Sequence, residues 1–411
     1  MSTPPLAGRR VIEIGSMLAA PFATHILSQL GAEVIKVEPP IGDPTRALVR
    51  GGPSGTFIAY SHGKKSMCLD LSKPEGRDAL YALLKSADAL VHNLAPKAAR
   101  KLGVSRADCE RINPALIYCH IRGYAAGPQA DDLASNPVAE ASTGVMEANR
   151  VNGRPSRLGP SYHDQFAGAY AVIGILASLL RDPKTATSED REVEVGLYET
   201  GLHVASRDLV AVQLKQHLLG RPEREPHGEF AMPGYGAYLT RDERWLYLLM
   251  LTDGHWAKFC DAMKLPWGSD PQFATLKMRK KAREQVEDIV KNAIGAHDFE
   301  AVQATLKANG VGCTEVLPLE RVLDADQAHQ PGKLRTVSFR GLNFEVPEFP
   351  RAGAASDGVP TIAPGELGEH TESILQSLNL STAEIAALLQ SGGVKAQQPG
   401  SFAWAAVREA A

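Results

Sequence analysis

Lys36, Lys64, Lys65, Arg100 and Lys101 stand in or beside short apolar runs in the first quarter of the chain, and cations so placed suit a ligand bearing several phosphate charges. Glu38 closes the second of those runs, where a dinucleotide site would put an acid for a ribose hydroxyl. The phosphate end of such a site is missing. The first turn reads GSMLAAP, with one glycine and two bulky residues, so the backbone is not shaped to approach a pyrophosphate. Neither a Walker-type loop, H-E-x-x-H nor G-x-S-x-G occurs. Farther along, Asp164 stands immediately before the apolar run QFAGAYAVIGILASLL, the position of a helix N-cap. His163 beside it is a candidate acid or base, although adjacent residues at a helix start point apart. Arg122, Arg154 and Arg157 precede that helix, and a guanidinium grips a carboxylate or a phosphate equally well.

The elements that must position these groups follow from apolar spacing. VIEIG reads as a buried strand, APFATHILSQLG as a helix with Pro21 near its start and Gly31 as its stop, and AEVIKVE as a second strand. SMCLDL is a third. Ser72 with Glu75 three residues on predicts a capping box, with Pro74 in the first turn of a helix running to about Ser86. DALVHN and LIYCHIRGY complete five strands interleaved with helices, the pattern of an open parallel sheet in a Rossmann-like layout. Residues 125–161, rich in Gly, Pro, Ala, Asn and Ser, read as a long functional loop. The run after Asp164 is apolar nearly all round and predicts a helix buried on most sides. EVEV is a further strand, GLYETGLHVASRDLVAVQLKQHLLG a single long helix ending at Gly220, and GRPEREPHGE a linker. A hairpin, YGAYLT and WLYLLML joined by RDER, opens a second texture that is helical from about Gly254 to Asn309. The expected domains are therefore 1–220, a large α/β domain; 221–330, a smaller α+β domain; and 331–411, a segment with two helices returning to the first.

The blocks VIEIGSMLAAPFATHILSQLGAEVIKVEPPIGDPTR, KKSMCLDLSKPEGRDALYALLKSADALVHNLAPKAARKLGV, INPALIYCHIRGYAAGP, DQFAGAYAVIGILASLL, GVGCTEVLPLERVLDADQA and GELGEHT, in this order and over most of the chain, resemble the family III CoA-transferases, also called the CaiB/BaiF family. The resemblance implies that Asp164 is the nucleophile, forming an anhydride with the acyl group and then a CoA thioester on itself. A helix N-terminus would keep that carboxylate ionised beside donors for an oxyanion. Carried over position by position, the CoA-binding residues are Leu18, Ala19, Lys36, Val37, Glu38, Pro39, Lys65, Leu69, Asn93, Leu94, Arg100 and Lys101. Ser135, Asn136 and Glu140 fall where the family has active-site loop residues, and Tyr235, in MPGYGAY, falls in the counterpart of a mobile glycine loop, with only Gly234 and Gly236 kept. Leu18 replaces a glutamine of the oxalate enzyme, which points away from oxalate. The resemblance further implies an interlocked, ring-shaped homodimer, no permanently bound cofactor, and CoA thioesters with small carboxylic acids as substrates.

Within the family the competing reaction is α-methylacyl-CoA racemisation, which pairs the aspartate with an upstream histidine; LASNPVAEASTG, in the matching place, has none. The arginines favour short dicarboxylates of the succinate, mesaconate, itaconate, malate or glutarate type, with intramolecular transfer included. Bulk properties fit an enzyme of this kind. A net charge of -3 offers nothing to nucleic acid or to a membrane, and five scattered cysteines form no zinc pattern and read as reduced thiols. With no signal-peptide pattern in the first residues and no run long enough to span a bilayer, the expected location is the cytoplasm.

Overall fold

The computed structural model describes residues 3–49, 52–220, 232–350 and 362–397. They divide between two compact units, one extending to His217 and resuming at Gln330, the other Leu218–His329. Most of the expected linker lies outside the described residues.

The larger unit runs β1 Arg10–Ile14, α1 Ala19–Gln29, β2 Glu33–Glu38, α2 Gly55–Ser61, β3 Lys64–Leu69, α3 Pro74–Leu84, β4 Ala89–His92, α4 Pro96–Lys101, α5 Arg106–Ile112, β5 Ile117–Arg122, α6 Asn136–Ser142, α7 Val145–Ala148, β6 Arg150–Val151, β7 Arg154–Pro155, α8 Tyr162–Leu179, β8 Glu192–Gly196 and α9 Leu197–Val204. Its sheet is ordered β3-β2-β1-β4-β5-β8 and is parallel throughout, with Val394–Lys395 added antiparallel beyond β3. Successive strand residues serve opposite faces. Ile12, Ile35 and Leu90 pack against Leu80, Leu83 and Leu84 of α3 and against Ile374 and Leu375 of the returning C-terminal segment. Val11, Val34 and Val91 pack against α1 and α8. The chain order reverses between β1 and β4, so the crevice at their carboxyl ends is where a parallel sheet of this kind takes a ligand.

Several elements depart from expectation. No capping box forms at Ser72: its N–H and hydroxyl both go to Asp70, and α3 opens at Pro74 with Lys73 as cap residue. A capping box does form at Ser381 and Glu384. The long helix is interrupted at Ala205, between α9 and Ser206–Leu219. Residues 125–161 hold α6, α7 and the β6–β7 ribbon rather than irregular loop alone. Helix α8 is buried on one side only, with Phe166 and Ile173 exposed.

Between α1 and the sheet lies an enclosed ionic cluster. The Glu13 carboxylate receives Lys36 at 2.6 Å and Lys64 at 2.7 Å. Lys36 also reaches Asp43 at 2.8 Å and the Gly15 carbonyl at 3.0 Å, and Lys64 reaches the Pro21 carbonyl and the Thr24 hydroxyl at 2.8 Å. Burial alone would favour a neutral Glu13, but the two ammonium groups outweigh it and hold its pKa at about 2.

Nearby, the rings of His25 and His62 meet at 4.5 Å. Burial, with Arg335 and Lys64 adding to it against the Ile58 carbonyl, lowers His62 to about 4, and burial takes His25 well below its ordinary value. An unfolded imidazole titrates near 6.5, so the unfolded chain takes up protons first as the pH falls. Stability present above 6.5 is therefore expected to drain between 6.5 and 4, by about 1.4 kcal/mol per pH unit for each histidine. Urea titrations at pH 7 and pH 4.5 check this, with a smaller drop in His62→Gln; equal drops would remove the histidines from the account.

The smaller unit packs a three-stranded antiparallel sheet, Gly236–Leu239, Trp245–Leu248 and Cys313–Glu315, against helices Asp253–Ala262, Arg283–Gly295 and Phe299–Ala308 through Leu246, Leu248, Trp256, Phe259, Val290 and Leu306. Among the described residues no helix is long and apolar enough to cross a membrane.

Candidate active site

Asp164 owes its place to small residues one turn further along α8. A Cβ on Gly168 would stand 2.8 Å from the Ala19 carbonyl oxygen, so only glycine lets α8 lie this close to the start of α1. That contact puts the N-terminus of α8 beside the β1–α1 turn. The turn is itself clamped, with Asn93 Oδ1 accepting from the Ser16 N–H at 3.0 Å and Asn93 Nδ2 donating to the Ser16 carbonyl at 2.9 Å.

Ser161, the residue before α8, makes no side-chain cap. Asn136 of α6 takes that role from outside the helix, its Oδ1 accepting from the N–H groups of His163 at 2.9 Å and Asp164 at 3.3 Å. Its amide nitrogen donates to Glu140 one turn on, and the other Glu140 oxygen accepts from Leu158 N–H at 3.3 Å. Arg157 Nη2 stands 3.8 Å from Glu140 Oε1. The expected oxyanion donors are thus already engaged: the Tyr162 N–H goes to the Pro160 carbonyl, and that of Gln165 to the Ser161 carbonyl.

The Asp164 carboxylate accepts no hydrogen bond among the described residues. Burial pushes its pKa up to about 6, Arg157 working against the shift and Glu140 adding to it. The expected helix-terminus stabilisation of the charge is outweighed by burial, and the nearest N–H groups are turned to Asn136. The result is a poorly solvated, unpartnered carboxylate that is ionised at neutral pH, which suits a nucleophile better than a structural cap. His163 is enclosed, with Nε2 3.3 Å from the Thr143 hydroxyl, and a Cβ on Gly201 would collide with its ring. It packs the helix start.

Asn136→Ala is expected to leave two helix N–H groups and the buried Glu140 without their partner. We expect a loss of about 1–3 kcal/mol in stability and a lower turnover number with little change in KM for the CoA donor. Denaturant unfolding and steady-state kinetics check the two halves separately; unchanged turnover would free Asp164 from dependence on Asn136.

The family model described as CoA-transferase family III matches residues 6–371. The chain belongs to that family. Succinyl-CoA–D-citramalate CoA-transferase of Chloroflexus aurantiacus is 28% identical, covering 94% of this chain and 97% of its own. Succinate–glutarate CoA-transferase of Agrobacterium fabrum is 28% identical over 91% of this chain and 96% of its own, and formyl-CoA:oxalate CoA-transferase of Bradyrhizobium diazoefficiens 28% over 96% and 99%. A CaiB/BaiF family protein from Brucella suis shares the fold, with a TM-score of 0.78 at 24% identity, over 92% of this chain and 100% of that one. The enzyme class, CoA-transferase, follows from this membership.

For a CoA-transferase, the expected nucleotide-binding side chains fall into two groups. Lys36 and Lys64 are enclosed with Glu13, and Glu38 is held by both arms of Arg46 at 2.6 and 2.7 Å, so none of the three side chains faces a ligand. Burial between oppositely charged partners is what removes them. Lys65 is paired with Glu33 at 2.6 Å, and the side chains of Ala19, Val37 and Leu69 lie in the core. Leu18 and Leu94 are partly exposed, and Pro39, Arg100, Lys101 and Ser135 exposed. Tyr235 belongs to the smaller unit, its ring edge-on to Tyr247 at 5.5 Å.

Two features went unread in the sequence. Gln165 Nε2 donates to the Tyr60 hydroxyl at 3.2 Å, tying α2 to the start of α8. His92 and His120 stack at 4.2 Å at the carboxyl ends of β4 and β5, with His120 Nε2 donating to the Leu94 carbonyl at 2.9 Å. A single histidine within each of two apolar strands, ALVH and IYCHIR, was the available signal for the second; the first had none.

Proposed function

We propose that the protein moves CoA from an acyl-CoA to a short dicarboxylic acid, with Asp164 as the carrier. The unpartnered, partly buried Asp164 carboxylate at the head of α8 carries this reading. Its oxygen attacks the donor's thioester carbonyl, the carbon–sulfur bond breaks, and CoA leaves as thiolate from an acyl-aspartyl anhydride. The thiolate attacks the aspartyl carbonyl, releasing the donor acid and leaving a CoA thioester on Asp164. The acceptor carboxylate attacks that thioester to form a second anhydride, and thiolate attack on the acceptor's carbonyl regenerates the carboxylate. Water would intercept each anhydride, so the site must exclude it.

Leu18, Pro39, Leu94, Arg100 and Lys101 are the side chains left to receive CoA at the β1/β4 crevice, with the backbone of Ala19 and residues 36–38. Names of relatives that act on citramalate, malate and glutarate support a dicarboxylate substrate. Exposed Ile173, Leu180, Val210 and Leu214 support an apolar interface with a second copy. Five cysteines without disulfides support a reducing, cytoplasmic setting.

The deciding experiment incubates the enzyme with succinyl-CoA and a panel of mono- and dicarboxylic acids, with products read by mass spectrometry. New thioesters and a hydroxylamine-sensitive adduct on the Asp164 peptide are expected. Deuterium uptake at the α-carbon of a 2-methylacyl-CoA, without exchange, would replace the transferase reading with racemisation.

A further inference from the structure

Four arginines lie on the segments leading to α8, two of them held in ion pairs and a third exposed on a short ribbon. Arg122 is bound to Glu194 at 2.6 Å and to the Ala130 carbonyl. Arg150 is clamped on Glu147 at 2.6 and 2.7 Å. Arg154 is exposed on β7 and exerts no resolved influence on Asp164. Arg157 differs. Its backbone is fixed on both sides, its carbonyl accepting from Asn149 Nδ2 at 2.8 Å and the next N–H donating to Glu140 at 3.3 Å. Its guanidinium makes no hydrogen bond among the described residues; it stands 3.8 Å from Glu140, whose partner Asn136 caps the N–H of Asp164, and its charge opposes the rise in the Asp164 pKa.

We propose that Arg157 is the specificity residue that receives the remote carboxylate of a dicarboxylic acceptor, and that it does so once Asp164 has been converted to its CoA thioester. The inference rests on the transferase reading above. While Asp164 is ionised, one guanidinium serves two carboxylates and the cluster carries a net negative charge, so a further carboxylate is repelled. Acylation removes the Asp164 charge. Arg157 then balances Glu140 alone, and its five N–H donors are open to a planar, two-pronged partner. Glu140 cannot swing out to compete, because both its oxygens are held in a fully enclosed position by Asn136 and Leu158. Acceptor binding is thereby tied to the stage at which the acceptor is needed. A monocarboxylate gains nothing from the arrangement, since it spends its single carboxylate at the thioester carbonyl. Polyphosphate is a poor fit, because it would bring several charges against the buried Glu140.

Asp164→Asn reproduces the uncharged state without chemistry, so the test is a binding measurement. Glutarate and valerate are titrated at pH 8 into wild type, Asp164→Asn, Asp164→Asn/Arg157→Gln and Asp164→Asn/Arg157→Lys, each checked for folding by circular dichroism. Asp164→Asn is expected to bind glutarate roughly tenfold or more tightly than wild type. Arg157→Gln erases the gain and Arg157→Lys keeps part of it, and valerate, which offers one carboxylate in place of two, gains less than glutarate. Equal glutarate binding with and without Arg157, an equal gain for valerate, or no glutarate binding by Asp164→Asn would each overturn the assignment. Failure of the transferase reading shows elsewhere, as absence of CoA exchange by wild type with every acid tried.

Discussion

Asp164→Asn should lose CoA exchange by roughly 10⁴-fold or more while the folded protein becomes more stable at pH 8. The first half follows from covalency: an amide cannot become the anhydride or the thioester. The second follows from the carboxyl's environment. Its pKa stands at about 6 in the folded protein, above the ordinary 3.8, because burial disfavours the charge. A raised carboxyl favours folding at low pH and loses that advantage as the pH climbs through the folded value, so above 6 the wild-type protein carries the cost of an ionised, poorly solvated group. Allowing for the solvent that still reaches a half-buried side chain, that cost is on the order of 1–2 kcal/mol. Urea midpoints of wild type and Asp164→Asn should separate at pH 8 and converge near pH 4. A variant that lost activity but gained nothing at pH 8 would contradict the electrostatic description of the site. Stored instability at a fixed geometry is the pattern expected where a group is held for reaction rather than for packing.

The sheet was legible because its strands are continuous apolar runs ended by glycine, proline or a cap, and because each face of a parallel strand is buried. The head of α8 was legible to within a turn, since an isolated carboxylate beside a long apolar run has few explanations, but the helix opens at Tyr162 and Asp164 lies in its first turn instead of capping it. What surrounds Asp164 was harder to read. Asn136 and Glu140 precede it by 28 and 24 positions, and their function depends on a helix, α6, whose start falls in a stretch with loop composition. They were expected to face substrate; instead one caps α8 and the other holds the loop that carries Arg157. The GELGEHT block likewise works through the backbone, His370 and Thr371 accepting the N–H groups of Ser66 and Cys68 to seal the far edge of β3. Neither role leaves a period or motif in one sequence.

The lysines show the same limit from the other side. Lys36 and Lys64 resembled ligand cations because they stand in or beside apolar strands, yet Glu13 interrupts the first strand on the same face as Lys36, and the register pairs Glu13 with Lys36. Opposite charges at inward positions of neighbouring parallel strands are a readable sign of an internal ion pair, provided that strand order is known. Strand order is a tertiary property, so spacing alone could not choose between a phosphate and Glu13 as the partner.

The largest stability effect is therefore expected at Glu13. Replacing it with alanine leaves Lys64 with only a carbonyl and a hydroxyl, and leaves Lys36 with Asp43, all without access to water. Removing one partner of a buried ionic group costs about 3–5 kcal/mol, a large share of the 5–15 kcal/mol that holds a typical domain. Adding Lys64→Met should restore part of that loss, because the orphaned charge goes with it, and a double-mutant cycle on urea unfolding isolates the coupling. Single variants within 1 kcal/mol of wild type would mean that water reaches the cluster. The effect should not stop at stability. Asp43 touches the Met17 N–H at 3.5 Å while it holds Lys36, so a weakened Lys36 loosens the turn that opens α1, the helix against which Gly168 sets α8. In a Glu13→Gln protein that still folds, turnover should fall through misplacement of Asp164, and the raised pKa in the pH-rate profile should move towards that of an ordinary carboxylate as solvent enters.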